Sequence, residues 1–404
     1  MAVSLALFHV LVAAASRPSF TLDLPQNLFA VIGVSSLCCV LLLSVPLFRK
    51  PAYELFLRAH HTLAMLSVYA IWRHLPSDKL FPRCYLYILV GLFLFMCIVQ
   101  VGIVIYHNGF FRYRCARAYI THEYGAVRLR IHCQKPLAVK AGQYINIWIP
   151  SVSFWSILQS HPFVVISWAE KAQDHLGLLI EPRRGFTREL WSYAKNSHAT
   201  NSLVLFSGPY GKSVPMGDCE NILMVASDFG IAAHLPYLKQ LIYGYNAREV
   251  RARRIHLVWQ VRDIDVTIAA QPLLNGALNE DTLDDGWILA ISIYCESSDI
   301  RSTSFGKRAN VYPGKAPLRD ILKAEVRGEH IGKKPVDDVN WDTKTLVEEG
   351  ELESGRPNGR DGKLLVTVSG TDDVRDEVRS VVRDYLTDGV SFFELDYQPS
   401  QKCG

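Results

Sequence analysis

Long apolar runs confined to the first hundred residues constrain the fold of this 404-residue chain more than any other feature. Four such segments occur, at residues 2–15, 28–48, 53–72 and 85–106. A membrane-spanning helix needs about 20 apolar residues, which the second and fourth segments supply. The third carries Glu54 and Arg58 near its start, and the first is short and lacks the basic start of a signal peptide. We therefore expect residues 1–111 to form transmembrane helices, the first of them the end of a helix whose beginning is absent.

Basic residues around these segments predict the orientation of the chain in a membrane. Arg49 and Lys50 separate the second and third segments, and Arg112, Arg114 and Arg117 follow the fourth. Cytoplasmic loops carry the excess of lysine and arginine. We therefore expect the large C-terminal part of the chain to face the cytosol.

Histidines within the apolar segments are candidate functional residues, because a polar side chain in a membrane span is costly. The third segment contains His60, His61 and His74, and the first contains His9. His60 and His74 are about 320° apart net of whole turns, so they share nearly one helix face, roughly 21 Å apart along the axis. Each could then bind one of two stacked hemes. The same spacing also fits histidines that simply mark helix ends at the membrane interface.

The remaining sequence changes pattern twice. Alternating residues and turns predict strands of a small antiparallel barrel at 127–133, 143–150, 162–168, 176–180 and 202–207. Strand–helix alternation then predicts a parallel sheet with covered faces. Its strands are expected at 221–227, 254–261, 288–295, 364–369 and 392–396, and its helices at 230–245, 269–279, 318–326 and 374–386. The polar, charge-rich stretch 330–363 predicts a flexible insertion.

Charge and cysteine usage argue against two other classes of protein. The net charge of +4 is spread along the chain, which does not suggest a nucleic-acid binder. The nine cysteines are scattered, without a CxxC pair or a His/Cys metal spacing. This usage fits a reducing compartment or burial in lipid better than a disulfide framework.

Two motifs of the predicted barrel suggest a flavin nucleotide. His161-Pro162-Phe163 opens a strand after an aromatic loop that contains Phe154 and Trp155. These aromatic groups could bury an isoalloxazine ring, although core packing is the simpler explanation of the tripeptide alone. The motif Arg183-Arg184-Gly185-Phe186-Thr187 precedes a short predicted helix, 188–195. Helix N-terminal amides and arginines suit a diphosphate, and a solvated basic turn fits the motif equally well.

Two glycine-containing turns suggest a second nucleotide. Ser207-Gly208-Pro209-Tyr210-Gly211 ends the last barrel strand and is either a tight turn or a place where backbone approaches a ligand. Ala226-Ser227-Asp228-Phe229-Gly230-Ile231 joins the first strand of the second domain to its helix, where a pyrophosphate would rest. A carboxylate at Asp228 would repel that pyrophosphate.

In their order and spacing these residues resemble the ferric-chelate reductase and NADPH oxidase superfamily, in its filamentous-fungal form. The resemblance covers nearly the whole chain and extends through Gly244-Tyr245-Asn246, Val258-Trp259-Gln260 and Phe392-Phe393-Glu394. It implies that NADPH passes hydride to FAD and that FAD passes single electrons to two hemes. The outer heme then reduces ferric chelates, cupric ions or oxygen.

The resemblance also implies roles for individual residues. The flavin would contact His161, Pro162, Phe163 and Val164, and the FAD diphosphate Arg184, Gly185, Phe186 and Thr187. NADPH would contact Gly208, Pro209, Tyr210, Gly211, Asp228, Gly230 and Ile231, with Ser369 and Gly370 as the catalytic pair beside the nicotinamide. Heme iron would be bound by His9, His60 and His74.

The sequence departs from the family pattern at several of these positions. Val164 stands where the family often has threonine, Asp228 replaces a glycine, and Ser369-Gly370 stands where Cys-Gly is common. The family has about six spans, so this chain resembles a form truncated at its N-terminus. The partner expected for His60 would precede the first residue, which leaves His9 and His74 for one heme.

The sequence therefore predicts a transmembrane α-helical bundle at 1–111, an antiparallel β-barrel FAD domain at 112–216 and a Rossmann-like NADP domain at 217–404. We expect a multi-pass plasma-membrane reductase that moves electrons from NADPH through FAD and heme b to ferric or cupric ions, with its nucleotide domains in the cytosol. Two alternatives are a heme-less, membrane-anchored NAD(P)H:flavin oxidoreductase and a degenerate homologue without activity.

Overall fold

The computed structural model describes residues 2–16, 21–45, 53–77, 80–109, 115–153, 161–196, 200–283, 288–297, 308–329 and 364–398. These residues divide into two compact units, the described residues up to 102 and those from 103 onward, which are described separately. The expected insertion at 330–363, the aromatic residues Phe154 and Trp155, and the basic residues Arg49, Lys50, Arg112 and Arg114 lie outside the described residues.

Helices make up the described part of the first unit. They are α1 (Ala2–Ser16), α2 (Pro25–Leu43), α3 (Tyr53–His74) and α4 (Leu80–His107), the last of which continues past residue 102. Helix α2 packs against α3 through small residues: a Cβ at Gly33 would lie 3.5 Å from the Cβ of Ala70. Ser36 and Ser67 are buried as well. Small residues let helix backbones approach closely, as in membrane helix pairs.

Two of these helices are long and apolar enough to cross a bilayer, judged by length and composition alone: Pro25–Leu43 and Phe81–His107. No part of the apolar window in Phe81–His107 is buried, as expected for a surface that faces lipid rather than protein. Helix α3 falls short of the same criterion because it carries charged residues and three histidines. A bundle of more than two spans stays a prediction.

Two antiparallel sheets form the barrel of the second unit. One has the order β5-β2-β1-β6, and the other has the order β4-β3-β7. The strands are β1 (Arg117–Glu123), β2 (Ala126–Leu137), β3 (Tyr144–Trp148), β4 (His161–Val164), β5 (Gln173–Ile180), β6 (Thr200–Leu203) and β7 (Leu205–Tyr210), with helix α5 (Phe186–Asn196) between β5 and β6. Inward-facing aliphatic residues such as Ile120, Leu129 and Ile147 fill the interior.

The remaining strands form a parallel sheet with the order β11-β10-β9-β8-β12-β13. They are β8 (Asn221–Ser227), β9 (Arg254–Val261), β10 (Leu289–Cys295), β11 (Ala309–Pro313), β12 (Leu364–Ser369) and β13 (Ser391–Glu394). The helices between them are α6 (Ile231–Asn246), α7 (Ile264–Glu280), α8 (Leu318–Val326) and α9 (Asp372–Arg383). Strand β8 is buried at every position, because apolar clusters cover both faces of the sheet.

Local sequence patterns missed three features of this fold. The strand expected at 202–207 is two strands, because the chain passes from one barrel sheet to the other at the buried residue Val204. Its amide donates to the Ala116 carbonyl at 3.2 Å. Strands β1 and β11 were not expected, since each lies at the margin of a recognised pattern.

A buried charged group joins helix α8 to the parallel sheet. The carboxylate of Glu325, which is 5% exposed, accepts from His256 Nδ1 at 2.7 Å and from Arg254 Nη2 at 3.2 Å. Burial alone would raise the pKa of Glu325, but the His256 hydrogen bond and the Arg254 charge outweigh it and lower the pKa from 4.5 to about 2. The carboxylate therefore stays charged at every physiological pH.

Replacing this carboxylate should destabilise the chain. We expect Glu325→Gln to lower the free energy of unfolding at pH 7 by about 3 kcal/mol, because it leaves the buried Arg254 guanidinium without its counter-charge and weakens the hydrogen bond with His256. Since the pKa is lowered on folding, the contribution is complete above pH 4.5 and is lost as the pH falls toward about 2. Urea titrations followed by tryptophan fluorescence at pH 7 and pH 3 measure both effects.

The exposed residue Glu329, which pairs with Arg327 at 3.5 Å, provides the matched control. We expect Glu329→Gln to change the unfolding free energy by less than about 0.5 kcal/mol. Equal stabilities of the two variants at pH 7 would contradict the role of Glu325.

Candidate active site

The parallel sheet has a topological switch point between the neighbouring strands β8 and β12. From β8 the chain continues to β9 on one side of this point, and from β12 it continues to β13 on the other side. In open α/β sheets a ligand binds in the crevice outside the carboxyl ends of the strands at such a point. The turn after β8 and the loop after β12 both lie at this edge. The structure thus brings two separately predicted motifs, Gly230-Ile231 and Ser369-Gly370, to one place.

Two glycines permit the close approach of these segments. A Cβ at Gly230 would overlap the carbonyl of Ser369 and lie 2.9 Å from the Cα of Gly370. Gly370 has φ +153°, and a Cβ there would overlap the Ser227 hydroxyl. The Thr371 amide donates to Ser227 Oγ at 2.7 Å and so links the loop after β12 to the end of β8. A side chain at either glycine would push the two backbones apart.

Asp228 does not carry an unpaired charge toward the crevice, contrary to the expected repulsion of a pyrophosphate. Its Oδ1 accepts from the Arg262 amide at 3.0 Å, and its Oδ2 accepts from Arg262 Nε at 2.7 Å. Its carbonyl accepts from Trp259 Nε1 at 2.9 Å. The carboxylate therefore ties the turn after β8, where Asp228 has φ 44°, to the end of β9.

Arg262 is a candidate ligand-binding residue that the sequence analysis missed. Its side chain is 67% exposed, and Asp228 engages it through Nε. That carboxylate also raises the pKa of Arg262. Arg262 directly follows β9, the second strand of the domain, which is where Rossmann-like proteins place the residue that binds the adenosine ribose or its phosphate. This position after the strand was the available signal in the sequence.

Ser369, the predicted catalytic residue, ends β12 inside the crevice wall. It is fully buried, and its Oγ has no hydrogen-bond partner among the described residues. A buried hydroxyl without a partner costs free energy unless a ligand or water completes it. Ser369 is therefore suited to receive a polar group of a nucleotide at this edge.

The predicted flavin motif at β4 and the predicted NADPH motif at β7 lie on one sheet, on either side of β3. Tyr144 of β3 pairs with Val164 of β4 and with Tyr210 of β7. The rings of Tyr144 and Tyr210 lie 5.8 Å apart between centroids, and Tyr144 is 37% exposed. Gln143 Nε2 donates to the Gly211 carbonyl at 3.3 Å. This sheet offers an aromatic surface between the predicted flavin and NADPH motifs, and Tyr144 was not among the predicted residues.

Within the first barrel motif, His161 is the residue with an available polar atom. Its ring stacks on Phe186 at 4.1 Å with an interplanar angle of 8°. Burial lowers the pKa of His161 to about 4, so the ring is neutral at physiological pH. Its Nε2 is buried without a partner in the described part of the chain. The stack brings the start of β4 against the start of α5, where Arg184, Gly185 and Thr187 lie.

Phe163 and Val164 lie in the hydrophobic core. Both side chains are 3% exposed, Phe163 in the barrel cluster and Val164 in the cluster shared with the parallel sheet. The Val164 amide donates to the Tyr397 carbonyl at 3.1 Å.

The two adjacent arginines before α5 have different environments. Arg183 Nε donates to Glu181 at 2.8 Å, and its guanidinium lies 5.3 Å from the Tyr397 ring centroid. Arg184 is exposed, and the described residues place no partner on its guanidinium. Arg184, beside the first amides of α5, is therefore the arginine free to bind an anion.

Tyr397 near the C-terminus completes this region and was missed by the sequence analysis. Its hydroxyl donates to Glu181 Oε2 at 2.7 Å and accepts from Arg183 Nη2 at 2.5 Å. Burial, followed by the Glu181 charge, raises the pKa of Tyr397 far above its ordinary range. The segment after β13 is thus held against the barrel beside β4.

The predicted heme ligands lie in the helical unit, and the ring of one of them is held by a hydrogen-bond partner. His74 Nδ1 lies 2.9 Å from the Gln26 carbonyl, which can only accept, so the neutral ring keeps its lone pair on Nε2. His60 Nδ1 is buried without a described partner. His9 is exposed on α1. Helix α2, which packs on α3, contains no histidine, so a second ligand for His74 would come from another segment.

Comparison with known proteins identifies both nucleotide domains. Residues 112–214 match the model of an FAD-binding domain, and residues 219–382 match the ferric reductase NAD binding domain. Among solved structures, a ferredoxin NADP+ reductase from Neisseria gonorrhoeae aligns with a TM-score of 0.43 at 13% identity. That alignment covers 69% of this chain and 97% of the other.

Several fungal proteins are similar over most of this chain. Ferric/cupric reductase transmembrane component 2 of Saccharomyces cerevisiae is 25% identical over 393 residues, covering 92% of this chain and 51% of the relative. Ferric reductase transmembrane component 3 of the same yeast is 24% identical, with 91% and 50% covered. This chain therefore spans about half the length of these curated relatives. With an FAD-binding domain followed by a ferric reductase NAD-binding domain, the chain belongs to the ferric reductase family.

Proposed function

We propose that the protein is a membrane metalloreductase that moves electrons from NADPH through FAD toward heme and finally to ferric or cupric ions. The observation that carries the proposal is the close approach at the sheet switch point, where Gly230, Ser369 and Gly370 meet in the domain that follows the FAD-binding barrel. Relatives named as ferric or ferric/cupric reductases support the choice of metal ion as the final acceptor.

The flavin, when bound, accepts a hydride from the nicotinamide and releases electrons one at a time. The residues of this chain supply binding and orientation. Arg184 and the α5 amides would hold the diphosphate, and neutral His161 would donate or accept through its unpartnered Nε2. The aromatic pair Tyr144 and Tyr210 lies between the two predicted cofactor motifs.

NADPH would occupy the crevice with its pyrophosphate on the turn before α6. Gly230 lets that turn approach β12, and Ser369 would complete the polar contacts near the nicotinamide. Arg262, positioned by Asp228, would bind the ribose phosphate that distinguishes NADPH from NADH. Asp228 would then favour nucleotide binding by holding the Arg262 guanidinium in position.

Among the histidines of the helical unit, His74 is the residue that best fits heme iron. The Gln26 carbonyl fixes the His74 ring and leaves Nε2 for iron. His9, which the resemblance implies as a second ligand, would complete the binding of the same heme. Membrane spans at Pro25–Leu43 and Phe81–His107 support a multi-pass protein with its nucleotide domains on the cytosolic side.

The first test separates the flavin chemistry from metal reduction. In detergent-extracted full-length protein loaded with FAD, NADPH should bleach the flavin absorbance anaerobically, and ferric chelate should restore it.

Arg262→Ala should lower the preference for NADPH over NADH by about tenfold, since a bidentate guanidinium–phosphate contact is lost. Arg253→Ala, an exposed arginine before β9, is the control and should keep the preference. No bleaching by either nucleotide in the unmodified protein would reject the proposed function.

The second prediction concerns the close approach at Gly230. We expect Gly230→Ala to abolish most NADPH binding while FAD content stays unchanged, because the added methyl group overlaps the Ser369 backbone. Gly276→Ala in helix α7 is the matched control, since a Cβ there meets nothing within 4 Å. Titration of nucleotide against flavin fluorescence compares the variants. Parallel loss of both cofactors in Gly230→Ala would show that the turn does not belong to the NADPH site.

The third prediction concerns heme. Protein expressed with added heme precursor should show a Soret band, and His74→Ala should remove it. His61→Ala, one residue beyond His60 on α3 and off the shared face, should retain it. A Soret band that survives in His74→Ala would exclude His74 as a ligand, and a yellow protein without any Soret band would support the heme-less alternative.

A further inference from the structure

A cluster of metal-binding side chains lies on the barrel, outside the cofactor regions described above. His132 of β2 and His175 of β5 are directly opposite each other in the strand register. Their ring centroids are 4.8 Å apart. Asp174 precedes His175, and one ligand atom from each of the three residues lies within 4.8 Å of the others. Cross-strand pairing, which sequence spacing does not reveal, creates this cluster.

The geometry of the cluster suits a metal ion after small side-chain movements. Tetrahedral coordination with bonds of about 2.0–2.1 Å requires ligand atoms about 3.3 Å apart. Rotamer changes of the two exposed residues and of partly buried His175 can close the remaining distance, because the backbone already fixes their separation. In the structure the Asp174 carboxylate accepts from His175 Nδ1 at 2.7 Å, and coordination of one ion by both residues would replace this hydrogen bond.

We propose that His132, Asp174 and His175 form a binding site for one divalent first-row transition-metal ion, with water completing the coordination. Two imidazoles and a carboxylate are a donor set typical of zinc, copper(II) and iron(II), whereas magnesium and calcium prefer oxygen ligands. The neighbouring Cys133 takes no part, since its side chain is 3% exposed and belongs to the barrel core.

The site is separate from the proposed electron path and does not depend on it. His132 and His175 lie in the four-stranded sheet, where β5 is an edge strand. The motifs at β4 and β7 lie in the other sheet, and the diphosphate motif at 183–187 follows the C-terminal end of β5. A bound ion would join the exposed edge strand β5 to β2 just before the irregularity that follows His132. It would thereby stabilise the folded barrel by mass action.

Metal titration of the full-length, detergent-extracted protein tests the proposal. After chelator treatment, Zn²⁺ binding is measured by calorimetry, and Co²⁺ is added as a spectroscopic probe. We expect one N/O-ligated Co²⁺ ion, seen as visible d–d absorption without thiolate charge-transfer bands. The double variant His132→Gln/His175→Gln should lose this signal, and Asp174→Asn should weaken Zn²⁺ binding by about tenfold or more.

His122→Gln provides the matched control, because His122 lies in the same sheet but packs on Trp191, with ring centroids 5.5 Å apart. We expect this variant to bind Co²⁺ and Zn²⁺ as the unmodified protein does. Zn²⁺ should also raise the unfolding temperature of the control but not of the double variant. The proposal is overturned if the double variant keeps the Co²⁺ signal, if that signal shows thiolate ligation, or if the unmodified protein binds no Co²⁺ at micromolar concentration. FAD content in all variants reports independently on the barrel.

Discussion

Close packing of two backbone segments at the end of the parallel sheet is the constraint on which the proposed chemistry depends. The turn after β8 can lie against the loop after β12 because Gly230 and Gly370 carry no Cβ. The Thr371–Ser227 hydrogen bond then holds the loop in place. Without this approach the crevice would be displaced from the strand ends, and Ser369 could not face the same ligand as the amides that precede α6.

Acidic side chains near this end of the sheet are paired with hydrogen-bond donors, whereas some basic side chains are exposed. Asp228 is neutralised by Arg262, and Glu181 is held by Arg183 and Tyr397. Two guanidinium groups still extend into solvent, at Arg184 and Arg262. Of these two groups, Arg262 is held in position by Asp228, which would lower the entropy lost if it bound a phosphate.

The barrel presents different chemistry on its two sheets. The β4-β3-β7 sheet carries aromatic residues and two of the motifs that the resemblance assigns to cofactor binding, whereas the edge of the other sheet carries the His132–Asp174–His175 cluster. In each case residues far apart in sequence become neighbours through antiparallel register, in which opposite side chains share one face. The buried cluster between the barrel and the parallel sheet, which includes Val164 and Tyr237, joins both halves of this unit.

The sequence by itself determined the order of domains, most strands and helices, and the motifs that carry the resemblance, because periodicity, glycine positions and apolar length are local properties. Only the tertiary structure decided which groups meet. Three contacts join residues that are 34 or more positions apart in sequence. They are the ion pair of Asp228 with Arg262, the hydrogen bond of Arg183 with Tyr397 and the cross-strand pair of His132 and His175. Such contacts depend on sheet order and register, which arise from packing of the whole domain and leave no mark in local sequence.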